Sequence, residues 1–154
     1  MPELDSTLQK MKTLGLFDQL VFYLETCESG SMFTNLTTDG SIYAVTASNA
    51  TQSSYAAYCG SDATVDGKSI GTCLSDLFAT NWMTDTTNAD ISIETLSTQY
   101  DVVMGLTELS PVLKFGDESF ISEPIGDFQG TYDIDATITQ TLLDKVNYYQ
   151  KKLT

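Results

Sequence analysis

Apolar side chains recur along the chain at two periods. Leu4, Leu8 and Met11 fall one helical turn apart, and Gly15 closes the stretch, so the opening residues read as an amphipathic helix. The run Leu20–Leu24 (Leu-Val-Phe-Tyr-Leu) follows; short, continuous and β-branched or aromatic in part, it reads as a strand buried on both faces. Ile42-Tyr43-Ala44-Val45-Thr46-Ala47 is a second strand candidate, and Val112-Leu113-Lys114-Phe115, turned by Gly116-Asp117, a third. Between them Ile93, Leu96, Tyr100 and Val103 mark a helix with Asp90 or Ser92 as the expected cap. Residues 121–137, with Pro124, Gly126 and Gly130, read as an extended linker. Ile138, Leu142, Val146, Tyr149 and Leu153 then line one face of a last helix, whose closing lysines suit its negative end. Helix, strand, strand, helix, strand is the grammar of an α/β fold with a partly parallel sheet.

Composition narrows the function classes. The 154 residues are 42% hydrophobic and 18% charged, enough apolar material for one packed domain. Seven lysines face 21 acidic residues, a formal charge of −14 that repels nucleic-acid phosphates and anionic lipid surfaces. No apolar run approaches the roughly 20 residues that span a bilayer, so no membrane insertion is expected. Arginine and histidine are absent altogether. These residues alone therefore complete no Ser-His-Asp triad, Cys-His dyad or histidine-built metal site, and no metal or cofactor is expected.

The first residues, Met1-Pro2-Glu3-Leu4-Asp5, lack the layout of a secretory signal. Other features point to the secretory route. Cys59 and Cys73 flank a Gly-, Ser- and Asp-rich loop; a bridge between them would close a ring of about 15 residues, worth about 3 kcal/mol in the chain-entropy model. Free buried thiols at these positions are the alternative. Asn35-Leu36-Thr37 and Asn49-Ala50-Thr51 are glycosylation sequons, so Asn35 and Asn49 are candidate acceptors. Cys27 is then the odd cysteine. It lies three residues past the first strand candidate, where α/β sheets gather reactive groups, and Ser29-Gly30-Ser31 lets the backbone turn tightly behind it. A nucleophilic thiolate and an oxyanion-binding amide can both be presented there. A buried structural cysteine is the competing reading.

The string Val21-Phe22-Tyr23-Leu24-Glu25-Thr26-Cys27-Glu28-Ser29-Gly30-Ser31-Met32-Phe33 resembles the catalytic-cysteine segment of the legumains, caspase-like asparaginyl endopeptidases of vacuoles and lysosomes. The likeness continues in order through Tyr43-Ala44-Val45-Thr46-Ala47-Ser48-Asn49, Ser53-Ser54-Tyr55, Cys73-Leu74-Ser75-Asp76-Leu77-Phe78, Asn81-Trp82-Met83, Glu94-Thr95-Leu96 and Gln99-Tyr100, and covers nearly the whole chain. It implies a three-layer αβα sandwich with a mostly parallel sheet, of which residues 1–120 would be the C-terminal part, 121–137 a linker and 138–154 the start of an activation-peptide helix. It implies that Cys27 is the nucleophile, that its N–H helps form the oxyanion hole, and that Glu25, Ser54 and Asp76 line the pocket for the substrate's asparagine side chain. Cys59 and Cys73 are placed like the bridged pair of the plant members.

In that family the general-base histidine and the pocket arginine lie upstream of the matching segment. The resemblance therefore implies a cysteine endopeptidase part that cleaves peptide or protein substrates after asparagine, resides in a vacuole or lysosome or is secreted, and is inactive without the missing N-terminal half. Loss of that half should also expose the edge of the Leu20–Leu24 strand, favouring association. Two alternatives are a ligase or transamidase using the same cysteine, and a non-catalytic relative that binds peptides.

Overall fold

A computed structural model describes residues 2–130. Its elements are α1 (Pro2–Thr13), β1 (Leu20–Leu24), β2 (Ile42–Thr46), β3 (Ala56–Ala57), β4 (Thr64–Val65), β5 (Lys68–Ser69), β6 (Ser75–Asp76), α2 (Leu77–Asn88), α3 (Leu96–Leu106), β7 (Leu113–Gly116) and α4 (Gly126–Gln129). The fold is mixed α/β.

Three strands form the main sheet in the order β1-β2-β7. β2 is buried at every position because it lies in the middle, with residues pointing alternately to two apolar clusters. Tyr43, Val45 and Ala47 pack with Phe78, Leu96 and Val103 from α2 and α3. Ile42 and Ala44 pack on the opposite face with Phe33 and with Leu8 from α1. Each large apolar side chain so covered contributes about 1.5–3 kcal/mol. The spacing of Leu4, Leu8 and Met11 thus does what it predicts: all three join the second cluster.

Four expectations are modified. β1 runs parallel to β2, pairing Leu20 with Ile42 through Leu24 with Thr46, but β7 is antiparallel to it, pairing Tyr43 with Gly116. The sheet formed by the described residues is therefore mixed rather than mostly parallel. β1, expected to be buried on both faces, is half-buried throughout because it is an edge strand among the described residues. α3 begins at Leu96 and is capped by Thr95, whose side chain accepts the Thr98 N–H at 3.1 Å, rather than by Asp90 or Ser92. Asp90 spends its carboxylate on the Ser92 amide (3.1 Å) in a separate turn, which leaves Ile93 outside the helix and 72% exposed. Residues 121–130, the first part of the expected linker, carry α4 and bury Ile125 completely. Gly126 allows this: a Cβ there would lie 2.7 Å from the Ile91 carbonyl oxygen, to which the Gly126 N–H donates. The remainder of the expected linker and the helix over 138–154 lie outside the described residues.

Candidate active site

The site is assembled from the ends of β1 and β2 and the start of α2. Beyond Leu24 the chain turns through Cys27 and into a short 3₁₀ turn, Ser29–Met32. Ser29 and Ser48, both fully buried, tie this turn to the segment after β2. The Ser48 N–H donates to Ser29 Oγ at 2.9 Å, and the Ser29 hydroxyl donates back to the Ser48 carbonyl at 3.2 Å. The Gly30 N–H also donates to the Ser48 carbonyl (3.0 Å), and the Glu28 N–H to the Gln52 carbonyl (2.8 Å). A side chain at Gly30 would meet the Asn49 carbonyl carbon at 3.0 Å, so the close strapping of these loops requires glycine.

This strapping brings Cys27 against Ser54. The thiol is exposed, its Sγ 3.8 Å from the Ser54 carbonyl oxygen and 3.9 Å from the Ser54 hydroxyl. The Ser54 backbone first, then the hydroxyls of Ser54 and Ser53, hold the thiol pKa below its ordinary value. A lowered pKa on an accessible sulfur is the combination that makes a cysteine nucleophilic.

Glu25 reaches away from β1 to the first turn of α2, where Oε2 accepts the Ala79 N–H at 2.8 Å. It thereby does the work of a helix cap from another element. Asp76 occupies the N-cap position of α2, yet its side chain makes no capping bond and stays exposed. The carboxylate that would ordinarily be used up by the helix is thus left available beside Glu25. Burial pushes the Glu25 carboxyl pKa up and the Asp76 charge adds to this, against the opposing pull of the Ala79 amide and Ser54 hydroxyl. Glu25 Oε1 is buried and accepts no hydrogen bond.

Ser54 thus lies against Cys27, and Glu25 lies close enough to Ser54 and Asp76 for both to act on its carboxyl group. Cys59 and Cys73 form a disulfide that closes the loop carrying the β4–β5 hairpin, whose Asp66-Gly67 turn has both residues at positive φ. Asn35 is exposed, whereas the Asn49 carboxamide is engaged in its own loop, accepting the Thr51 N–H at 2.9 Å and donating to Gln52. Among the described residues no three His, Cys, Asp or Glu side chains cluster to hold a metal ion, and no helix is long and apolar enough to cross a membrane. Sequence reasoning placed Ser53 in the string that carries the resemblance but did not foresee the Ser29–Ser48 hydrogen bonds or the Gln52 carbonyl contact; the only signal was that these residues lie a few positions past the ends of β1 and β2.

A model of the peptidase C13 family matches residues 1–131. The chain belongs to the peptidase C13 family. It is 38% identical to mouse legumain over 128 residues, which are 83% of this chain and 28% of that protein. It is 38% identical to a vacuolar-processing enzyme of Vicia sativa over 134 residues (84% and 27%) and 39% identical to a hemoglobinase of Schistosoma mansoni over 132 residues (85% and 29%). The chain thus spans less than a third of the length of the relatives it matches.

The raised Glu25 pKa carries a measurable consequence for this C13 chain. The folded state prefers Glu25 protonated, so its contribution to stability is fully present below the unfolded carboxyl range and is lost as pH rises through the folded value. Glu25→Gln keeps an acceptor for the Ala79 amide and removes the buried charge. Thermal melts should therefore show the variant more stable than the parent near pH 7 and equal to it near about pH 4. A variant less stable at neutral pH would mean that the ionised Glu25 holds α2 more strongly than burial penalises it.

Proposed function

We propose that this chain carries the nucleophile and the side-chain pocket of a cysteine endopeptidase that cleaves after asparagine. The observation that carries the reading is the occurrence together of an exposed Cys27 thiol lying against Ser54, which lowers its pKa, and the buried, unpartnered Oε1 of Glu25. A substrate carboxamide offers two N–H donors, which Glu25 and Asp76 can accept, while Ser54 can donate to its carbonyl oxygen. A side chain lacking the amide leaves these groups unpaired, which is how hydrogen-bonding pockets become selective. The Cys27 sulfur attacks the adjoining peptide carbonyl to give a thioester, and water then releases the acid.

The 154 residues contain no histidine, so the proton acceptor for Cys27 and the donor for the leaving amine come from another segment. By themselves these residues bind without turning over. That segment would also cover the free edge of β1, and left uncovered the edge favours association. Helices on both faces of the β1-β2-β7 sheet support a caspase-like three-layer αβα sandwich for the completed domain. Peptides or proteins are the substrates, and the vacuolar-processing relative supports a vacuolar or lysosomal setting.

The experiment is complementation. The chain is mixed with a histidine-bearing N-terminal segment from a C13 relative and assayed on a fluorogenic asparaginyl peptide. Turnover is expected only in the mixture, and only with asparagine at the cleaved position. Equal cleavage of a glutamine or alanine peptide would rule out the asparagine pocket, and Cys27-dependent turnover by the chain alone would remove the need for a second segment.

A further inference from the structure

A directional chain of part-buried polar groups centred on the buried Gln99 links β1 to α2, and the proposed chemistry does not use it. The Gln129 amide donates to Tyr23 Oη at 3.3 Å, and the Tyr23 hydroxyl donates to Gln99 Oε1. Gln99 Nε2 donates to Asp85 Oδ2 at 3.2 Å and to Thr86 Oγ1 at 3.0 Å, and the Thr86 hydroxyl donates to the Trp82 carbonyl at 2.9 Å. Gln99 is only 2% exposed. Burial pushes the Tyr23 pKa up to about 12, so the hydroxyl keeps its proton and the amide orientation of Gln99 is fixed at both ends. One α3 side chain thus joins β1 to α2, and α4 reaches the same tyrosine through Gln129.

Its position relative to the site gives it a role. β1 and α2 touch at two levels. Lower down, the Tyr23 ring stacks on Trp82 with centroids 4.7 Å apart; two residues further along the path of β1, Glu25 accepts the Ala79 amide. Glu25 and Cys27 follow β1, and Asp76 immediately precedes α2. The distance between the two halves of the pocket is therefore set by how β1 sits on α2. We propose that Gln99 is a positioning residue for this site, locking β1 to α2 through Tyr23, Asp85 and Thr86 so that Glu25 and Cys27 meet Asp76 at a fixed separation. The link between β1 and α2 stands on the geometry alone; its consequence for substrate rests on the pocket reading above. A leucine at 99 fills similar space but leaves the Tyr23 hydroxyl and the Asp85 carboxylate without their bridge, and the two elements are free to shift.

Two measurements on the whole chain test this. The first is hydrogen exchange at the Ala79 amide, which Glu25 protects. Gln99→Leu is expected to speed it about 10-fold, and Tyr23→Phe, which removes only the hydroxyl, about 3-fold, with the Val45 amide at the centre of β2 unchanged. The second is the rate of Cys27 labelling by an asparaginyl chloromethyl ketone divided by the rate with iodoacetamide. That ratio is expected to fall about 10-fold in Gln99→Leu, with the iodoacetamide rate unaltered because the sulfur is exposed. Ala79 exchange that is unchanged, or that rises in step with Val45, overturns the proposal, because plain destabilisation moves both amides together. A directed reagent with no preference for Cys27 in the parent overturns the pocket reading instead, and Ala79 exchange still decides the role of Gln99. If Gln99→Leu does not fold, Tyr23→Phe decides the question by the same criteria.

Discussion

Cys27→Ala in the complemented protein is expected to lower kcat/KM on an asparaginyl peptide by at least about 10³-fold while leaving the melting temperature where it was. Both halves of the result follow from the geometry. The side chain is exposed, its contacts to Ser54 are long at 3.8 and 3.9 Å, and Ser53 acts on it more weakly than Ser54, so its loss removes almost no packing or hydrogen bonding. Chemistry loses everything that depends on a covalent intermediate. The loops that carry the sulfur are held by the Ser29–Ser48 hydrogen bonds and the Gly30 contact, none of which involves residue 27. Cys27→Ser is a sharper version of the same test: the hydroxyl fits, but its far higher pKa leaves it a poor nucleophile beside a base matched to a thiol. Either variant retaining a substantial rate places the attack elsewhere.

Gly116→Ala is expected to prevent the chain from folding, read as loss of the cooperative thermal transition and of the β1-β2-β7 sheet. Gly116 closes β7 at φ +89, in the region that side chains adopt only under strain. A Cβ there would sit 2.1 Å from the Ile42 carbonyl oxygen and 2.8 Å from Leu36 Cδ2. The same carbonyl accepts the Asp117 N–H at 2.8 Å, so the strand end cannot retreat from the clash without breaking that bond. Strain alone costs about 1–3 kcal/mol. The overlap is with the backbone of the central strand, which has no freedom to yield, and domains of this kind have only about 5–15 kcal/mol in total. Normal melting of the alanine variant would show that β7 pairs with β2 in another register.

Fold and site differ in how much of each is legible in the sequence. The three strands are visible as apolar runs because strand residues must cover both or one face of a sheet, and the Leu4–Leu8–Met11 helix because its period is physical. Strand direction is not visible. Nothing in Leu113–Phe115 tells whether the preceding helix delivers the chain parallel or antiparallel to Ile42–Thr46. The start of α3 falls later than its pattern suggests because Asp90 and Thr95 are both competent caps, and only the fold determines which one is spent on a local turn. Residues 121–130 read as extended because Pro124 and the glycines signal bends, and a bend says nothing of whether Ile125 between them is buried.

At the site, the place of Cys27 after a strand marks it as a candidate, but Glu25, Ser54 and Asp76 emerge only through likeness to known catalytic segments. Their physical connections are long-range. Glu25 bonds an amide 54 residues further on, and the Ser29–Ser48 link joins two loops 19 residues apart. No periodicity encodes such a contact. Nor does any local signal say that Glu25 caps α2 and so leaves the Asp76 carboxylate uncommitted.

The central claim is that Cys27 is the residue that bonds to substrate, guided by a pocket for asparagine. Mass spectrometric mapping of the protein after reaction with an asparaginyl chloromethyl ketone tests it most directly. A single adduct is expected, on Cys27, formed faster than with the corresponding alanyl reagent and slowed when Glu25 is replaced by alanine. An adduct distributed over other nucleophiles, or one on Cys27 that forms equally fast with the alanyl reagent, contradicts it.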